Sequence, residues 1–233
     1  AQHLVGMAME GGFTREDLAE VVVSQRLWAM PNERAQRRDP IDIEGVLNAK
    51  PIAYPFTRDM CCVVTDAGGA LVLMSAERAR DLPSADRAVY LLGSGEGTES
   101  VIVSQMDDLD SFGPFRRGAK EAFETAGVTH DDIDHVMFYD AFAHLPLYML
   151  EDTGFVGRGE SAEFYRDGHT RPGGRLPINT QGGGLSYTHT GMYGMFAIQE
   201  AVRQLRGEAV VQVADVRTSF VQGVGMMFDA GGS

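Results

Sequence analysis

Residues 179–194 hold the densest group of side chains in the sequence that can do chemistry. The segment contains five glycines, a serine, two tyrosines and a histidine, and a helical pattern follows it. Tyr187 and His189 can donate, accept or transfer protons. Consecutive glycines lower the steric cost of unusual backbone angles and let a ligand approach the main chain. This composition indicates a reaction centre, and the alternative is a glycine-rich turn that precedes a helix.

A second candidate is the sequence Tyr-Asp-Ala-Phe at residues 139–142. It lies where a predicted strand passes into a predicted helix, a common place for catalytic groups in α/β folds. Asp140 could instead cap the helix that follows it, and Tyr139 could be an ordinary buried tyrosine. His189 has a comparable alternative, a histidine satisfied by loop backbone. The remaining histidines show no metal-ligand spacing, so no metal site is predicted.

The elements that must position these side chains follow from the hydrophobic spacing. Thr14 and Asp17 have the spacing of a capping box, and a period near 3.6 residues predicts helices. Continuous apolar runs predict strands, and strands interleaved with helices favour an α/β class. Residues 30–58 and 154–178 are predicted as long loops. The predicted helices cover residues 14–27, 75–83, 117–126, 143–152 and 191–206, and the predicted strands cover residues 70–74, 88–92, 134–139, 210–213 and 225–228.

Composition restricts the class of protein. The 233 residues are 44% apolar and 23% charged, which is typical of a globular chain. The net charge of −13 argues against nucleic acid as a general partner, because phosphate binding needs an excess of Lys and Arg. No apolar stretch approaches the length of a membrane span. Cys61 and Cys62 are adjacent, which is poor disulfide geometry, and they indicate buried packing in a reducing, cytoplasmic compartment.

The N-terminus lacks the features of a signal peptide. Residues 1–9 have no initiator methionine, no basic region and no apolar region. They are typical of the end of a helix that has been cut in mid-course. We therefore expect the chain to be a fragment of a longer protein.

Four blocks of the sequence resemble those of the thiolase superfamily, in its sterol-carrier and lipid-transfer-protein branch. Residues 183–194 resemble the C-terminal Gly-Gly…Gly-His-Pro…Gly block, and residues 139–142 lie at the Asn-Glu-Ala-Phe block. Residues 220–226 lie at the final Cys-x-Gly-Gly-Gly-x-Gly block. Residues 66–73 fit the segment that ends the N-terminal half of the family fold.

This resemblance implies an α/β class with the layered α/β/α/β/α arrangement of thiolases, here without much of the N-terminal half. Residues 1–84 would be the remainder of that half together with a loop region. Residues 85–233 would form the C-terminal thiolase-like domain.

The departures from the thiolase pattern bear on the chemistry. Claisen-type thiolases use two cysteines; the position of the second is Val221, and the first would precede Ala1. Tyr139 replaces the asparagine that holds the catalytic water in thiolases. Thr188 and Thr190 replace the glycine and the proline of Gly-His-Pro. Loss of the acid–base cysteine together with the presence of Tyr139 and Tyr187 makes the chain similar to the thiolase-like aldolases of steroid side-chain degradation.

The similarity to these aldolases implies retro-aldol cleavage of a β-hydroxyacyl-CoA thioester into an acyl-CoA and a ketone. Tyr187 and Tyr139 would transfer the protons, in an order that stays open, and His189 would donate to the thioester oxygen. CoA would be part of the substrate, with no separate cofactor. The resemblance also implies an OB-fold partner protein and a homodimer of the full-length protein. The residues expected to line the substrate pocket are Gly183, Gly184, Ser186, Gly223 and Gly225.

Two alternatives remain. A Claisen-type acyltransferase would need a nucleophilic cysteine upstream of this chain and a substitute for the absent second cysteine. A non-catalytic subunit would bind an acyl-CoA or a partner protein without turnover.

Overall fold

The structure is a computed structural model that describes residues 12–99, 105–106, 108, 111–225 and 230–233. Residues 1–9, interpreted above as the end of a helix, lie outside the described residues. The predicted strand at residues 225–228 also lies outside them, except for its first residue.

Helices alternate with short strands along the chain, as the α/β prediction requires. Short 3₁₀ turns occur at Arg58–Met60, Ala85–Arg87 and His130–Asp132. The α-helices are α1 (Arg15–Ala29), α2 (Ile43–Leu47), α3 (Ala76–Arg80), α4 (Gly113–Ala126), α5 (Leu145–Asp152), α6 (Ser161–Arg166), α7 (Gly183–Ser186) and α8 (Tyr193–Arg206). The strands are β1 (Pro51–Ala53), β2 (Phe56–Thr57), β3 (Glu96–Thr98), β4 (His135–Phe138), β5 (Ser219–Gly225) and β6 (Ala230–Gly232).

Local sequence signals set the ends of the longer helices. The Thr14 hydroxyl accepts the Asp17 N–H at 3.2 Å, and the Asp17 carboxylate accepts the Thr14 N–H at 2.8 Å, which confirms the predicted capping box of α1. α4 ends at Gly127 and α8 ends at Gly207, each with φ of 68°. Glycine is favoured at these positions because this left-handed conformation is strained for residues that carry a Cβ.

The main sheet has four strands in the order β3-β6-β5-β4. β6 pairs antiparallel with both β3 and β5, and β5 pairs parallel with β4. α4 packs on β3 and β6, and α8 packs on β4 and β5. A separate antiparallel pair, β1 and β2, lies near the C-terminal end of α2.

β4 is buried on both of its faces. Val136 and Phe138 point into the larger apolar cluster, which includes side chains of α1 and α5. Met137 points the other way, into a smaller cluster built with Tyr193 and Phe196 of α8. This alternation is the two-residue period of a strand, and burial on both faces explains why the three residues after His135 are all apolar.

The predicted strands at residues 70–74 and 88–92 are wrong. Neither run forms a strand, and Val72, Leu73 and Leu91 are exposed by 84, 83 and 79%. A strand needs a neighbour to take its backbone hydrogen bonds, and no strand of the described ranges pairs with either run. Apolar composition alone was therefore not sufficient to predict a strand at these two runs.

The predicted strand at residues 210–213 is also wrong. The Gln204 side chain takes the place of a neighbouring strand, since its Nε2 donates to the Val211 carbonyl at 2.8 Å and its Oε1 accepts the Val213 N–H at 2.9 Å. Within the predicted loop at residues 154–178, α6 forms a short helix. On α8, Tyr193 and Phe196 are buried, whereas Ile198 is exposed.

Candidate active site

Tyr139 and Asp140 leave the C-terminal end of β4 beside β5. The Tyr139 N–H extends the β4–β5 pairing by donating to the Gln222 carbonyl at 3.0 Å. Because the two strands are parallel, their carboxyl ends meet at one edge of the sheet. Gly223, which follows Gln222, lies at this same edge.

Asp140 caps a different helix from the one expected. Its two carboxyl oxygens accept the N–H groups of Gly184 at 2.7 Å and Leu185 at 3.2 Å, which are in α7 rather than in the following helix α5. Burial raises the pKa of Asp140 to about 8, against the opposing effect of these two backbone donors. The carboxyl group therefore retains its proton over much of the neutral range.

The glycines of α7 allow this close approach. Gly182 and Gly183 have φ of 110° and 64°, and a Cβ on Gly183 would lie 2.2 Å from the Asp140 carboxyl. A Cβ on Gly184 would lie 2.9 Å from the His189 ring. The groups that approach the main chain of α7 are thus side chains of the protein itself, the Asp140 carboxyl and the His189 ring. Gly183 and Gly184 are buried, and contact of either with a substrate stays a prediction.

Two arginines and a loop hold the carbonyl end of α7. The Arg26 Nε donates to the Ser186 hydroxyl at 3.1 Å, so this predicted site residue is buried and bound within the protein. The Arg37 N–H donates to the Ser186 carbonyl at 2.9 Å, and the Arg37 guanidinium donates to the Leu185 carbonyl at 3.2 Å. With Asp140 at one end and arginines at the other, α7 is fixed at both ends.

Three aromatic rings meet next to α7. The Tyr139 ring meets the His189 ring edge-on at 5.3 Å between centroids, and it meets the Tyr193 ring edge-on at 5.5 Å. His189 and Tyr193 are stacked at 5.7 Å with 9° between their planes. Tyr193 is fully buried and its hydroxyl accepts a hydrogen bond from Gln181.

Tyr187 packs on the smaller apolar cluster, which includes the Tyr193 ring. It follows α7 directly, and Tyr139 packs on the same cluster. The structure thus brings together the three predicted catalytic residues Tyr139, Tyr187 and His189. Val221, which the resemblance puts at the thiolase acid–base position, packs on the same small cluster as the two tyrosines.

His189 presents an uncommitted ring nitrogen to this site. Burial lowers the pKa of the imidazole, so the ring is neutral at neutral pH. Its Nε2 is buried and has no hydrogen-bond partner in the structure. A buried polar atom without a partner is costly, and a ligand oxygen would satisfy it.

The environment of Tyr139 favours its protonated form. Burial raises the pKa of the Tyr139 phenol, and the nearby Cys62 and Asp140 raise it further. The phenol is half-buried, so it retains access to the site.

Gly223 and Gly225 lie in β5 opposite β6. They pair with Gly232 and Ala230, and both remain partly exposed. A Cβ on Gly223 would meet nothing closer than 3.6 Å, so no close approach within the protein requires a glycine there. Both residues are near the sheet edge that carries Tyr139, and their contact with a substrate stays a prediction.

Sequence reasoning missed the residues that hold the site together. Arg26, Arg37 and Thr65 each bind the segment 181–189, which we name the site turn. The arginine-rich run at residues 34–38, which contains Arg37, was the only local signal. Thr65 lies 124 residues before its partner in the site turn, and no local pattern marks such a contact.

Within the described residues, the structure has neither a group of side chains that could hold a metal ion nor a helix that could span a membrane. In the described ranges, no three His, Cys, Asp or Glu side chains are arranged to hold a metal ion. The helices in that part of the chain are too short or too polar to span a bilayer.

Residues 95–232 match the family model described as thiolase C-terminal domain-like. The chain belongs to the thiolase C-terminal domain-like family. The predicted resemblance and the thiolase-like α/β fold are therefore confirmed. The division at residue 84 into two domains stays a prediction.

Three similar proteins narrow the place of the chain within the family. It is 37% identical to the steroid side-chain-cleaving aldolase of Thermomonospora curvata, over 91% of this chain and 54% of that protein. It is also 37% identical to the 17-hydroxy-3-oxo-4-pregnene-20-carboxyl-CoA lyase of Mycobacterium tuberculosis, over 88% of this chain and 53% of that protein. Among solved structures, the Ltp2-ChsH2(DUF35) aldolase superimposes with a TM-score of 0.90 at 33% identity, over 99% of this chain and 61% of that one. The chain thus spans about half the length of the curated relatives it matches.

Proposed function

We propose that the protein is a thiolase-like aldolase that cleaves a β-hydroxyacyl-CoA thioester by a retro-aldol reaction. The observation that carries this proposal is that Val221 packs on the same small apolar cluster as Tyr139 and Tyr187. Valine cannot take or give a proton, whereas the two phenols can. Two relatives are named as an aldolase and a CoA lyase, which supports the same class of reaction.

The reaction breaks one carbon–carbon bond. A base removes the proton of the β-hydroxyl, and the bond between the α and β carbons breaks as the ketone carbonyl forms. The electron pair passes to the thioester enolate, whose oxygen gains negative charge. An acid then protonates the α carbon, which leaves an acyl-CoA and a ketone.

Each of the three side chains takes one of these roles. Tyr139 is assigned as the acid, because burial and the neighbouring Asp140 favour its protonated form. Tyr187 is then the base that receives the hydroxyl proton. His189 donates from Nε2 to the enolate oxygen; its lowered pKa makes it a neutral donor.

The Claisen-type alternative finds no activated cysteine in the described residues. Burial, together with the neighbouring Asp140 carboxyl group, raises the pKa of the Cys62 thiol to about 11. Burial likewise raises the pKa of Cys61. A thiol nucleophile needs a lowered pKa, so neither residue has the required environment.

The substrate and partners follow from the same proposal. An acyl-CoA with a tertiary β-hydroxyl, of the steroid side-chain type, is the proposed substrate, and CoA enters only as part of it. The name Ltp2-ChsH2(DUF35) aldolase of the similar structure supports a complex with a second protein, here proposed to have an OB fold. We also propose a cytoplasmic homodimer for the full-length protein.

The test is an assay of the purified protein, identified by its intact mass, with and without an OB-fold partner. The substrate is a β-hydroxyacyl-CoA with a tertiary hydroxyl, and mass spectrometry follows the acyl-CoA and the ketone. Formation of both products in equal amounts is expected. Thiolysis of acetoacetyl-CoA by free CoA would replace the proposal with the Claisen alternative. Saturable binding without either reaction would replace it with a binding subunit.

A further inference from the structure

A short extended stretch of the chain crosses the site and binds both of its halves. This crossing segment, residues 61–65, pairs with Phe142 through a β-bridge at Cys61. The next N–H, of Cys62, donates to the Ala141 carbonyl at 2.9 Å, and the Val63 N–H donates to the Gly184 carbonyl at 2.9 Å. The segment therefore links the residues after β4 to the site turn.

The last residue of the crossing segment contacts the backbone of His189 at two points. The Thr65 N–H donates to the His189 carbonyl at 3.3 Å. The Thr65 hydroxyl accepts the His189 N–H at 3.0 Å. Thr65 thus binds both the N–H and the carbonyl of His189, which restricts rotation of the His189 backbone.

Thr188 completes this arrangement. Its hydroxyl lies 2.7 Å from the Thr65 hydroxyl, and the Thr188 side chain is buried. The Thr65 oxygen accepts from His189 and exchanges a second hydrogen bond with Thr188, so its position is set from two directions. Neither threonine reaches the unpartnered Nε2 of His189, so their effect on it passes through the backbone.

We propose that the hydroxyl pair of Thr65 and Thr188 positions His189, and that Thr65 is the positioning residue through which the crossing segment aims the His189 ring. This inference rests on the proposed function for the catalytic importance of His189. The positioning of His189 by the two threonines does not depend on the proposed function. The ring is already confined on two sides by Tyr139 and Tyr193, so the remaining freedom lies in the backbone that Thr65 holds.

The experiment compares Thr65→Val with Thr65→Ser in the full chain. Valine keeps the shape of threonine and removes the hydroxyl, whereas serine keeps the hydroxyl. Thr188→Val removes the second member of the pair. Thr125→Val is the matched control, because the Thr125 hydroxyl binds carbonyls of its own helix α4, away from the site.

The first readout does not depend on activity. Amide exchange of His189 and the ring nitrogen resonances are measured by NMR on protein with isotope-labelled histidine, with His189→Gln for assignment. We expect Thr65→Val to speed His189 amide exchange about fivefold to tenfold, and Thr65→Ser to restore the slow rate. The second readout is cleavage kinetics, where kcat is expected to fall on the order of tenfold to a hundredfold with little change in KM.

The outcomes separate this inference from the proposed function. Unchanged His189 exchange and ring resonances in Thr65→Val would overturn the positioning role, whether or not the protein cleaves a thioester. Faster exchange with unchanged kcat would overturn its importance for turnover. Absence of cleavage in the parent protein would contradict the proposed function, while the exchange data would still decide the contact.

Discussion

β4 and residues 70–74 have similar apolar sequences but opposite structures. Every residue of β4 is buried, and β5 takes its backbone hydrogen bonds along one edge. Residues 70–74 form no strand, and Val72 and Leu73 are exposed by 84 and 83%. The comparison shows that an apolar run becomes a strand only where another segment satisfies its backbone and covers its side chains.

The predicted catalytic side chains lie on the side of this comparison where the backbone is held in place. The predicted catalytic side chains follow β4 and α7, elements that are held at their ends by Asp140, Arg26 and Arg37. Rigid support of this kind is what a proton-transfer site requires, because its groups must stay in place. The exposed runs offer no such support within the described chain.

The largest effect is expected from Tyr187→Phe, which tests whether the side chains that follow β4 and α7 carry the reaction. Loss of the proposed base should lower the cleavage rate on the order of 10²–10⁴-fold, while the fold stays intact. Tyr90→Phe is the matched control, since Tyr90 is half exposed in one of the unsupported runs. Steady-state cleavage and circular dichroism measure the two effects. Equal activity of Tyr187→Phe and the parent would remove Tyr187 from the mechanism.

His189→Gln is expected to have the next largest effect. Without the imidazole donor, kcat should fall roughly 10²–10³-fold. Because burial lowers the pKa of His189 and a protonated ring still donates from Nε2, the parent should keep its activity through the ordinary histidine range, with no acid limb from this residue. His169→Gln serves as the control at a half-buried histidine away from this group. Rates measured across pH check the prediction, and an acid limb within that range would contradict it.

A pair of leucine truncations sharpens the contrast in packing. Leu147→Ala in α5 removes a fully buried side chain and should lower the free energy of unfolding by roughly 2–5 kcal/mol. Leu73→Ala removes a side chain that is 83% exposed, and should change it by about 0.5 kcal/mol or less. Urea unfolding of both variants measures the difference. Similar losses would show that residues 70–74 are packed in solution.

The last prediction concerns Asp140→Asn and the pH dependence of stability. Between the unfolded-state pKa of about 4 and the folded-state pKa of about 8, the folded protein holds a proton that the unfolded chain has released. The parent should therefore lose stability as pH rises through this window, by about 1.4 kcal/mol for each pH unit. Asp140→Asn should show a flatter profile, with Asp131→Asn as an exposed control. Parallel unfolding profiles for parent and Asp140→Asn would show that the folded-state pKa is not raised.

Local signals were sufficient for much of the fold and for the composition of the site. The capping box of α1, the end of α4 at Gly127 and the apolar alternation of β4 depend on neighbours within a few residues. The grouping of Tyr139, Tyr187 and His189 followed from the ordered thiolase-like blocks, and the structure brings these three residues together.

Long-range contacts account for what the sequence did not reveal. Asp140 was interpreted as a cap for its own helix, but it binds Gly184, 44 residues later. The glycines of α7 were interpreted as space for a ligand, whereas Gly183 makes room for the Asp140 carboxyl. Neither contact leaves a periodic pattern, because each depends on how two distant segments pack.

The crossing segment also determines where the chain can be divided. Residues 12–65 reach the site through α1, Arg37 and Thr65, whereas residues 66–74 make no strand and are largely exposed. A peptide bond cut within residues 67–73 would separate the chain into two pieces that still share buried contacts around α7. We expect the two pieces to reassociate when they are expressed separately, so that the site could be assembled by fragment complementation.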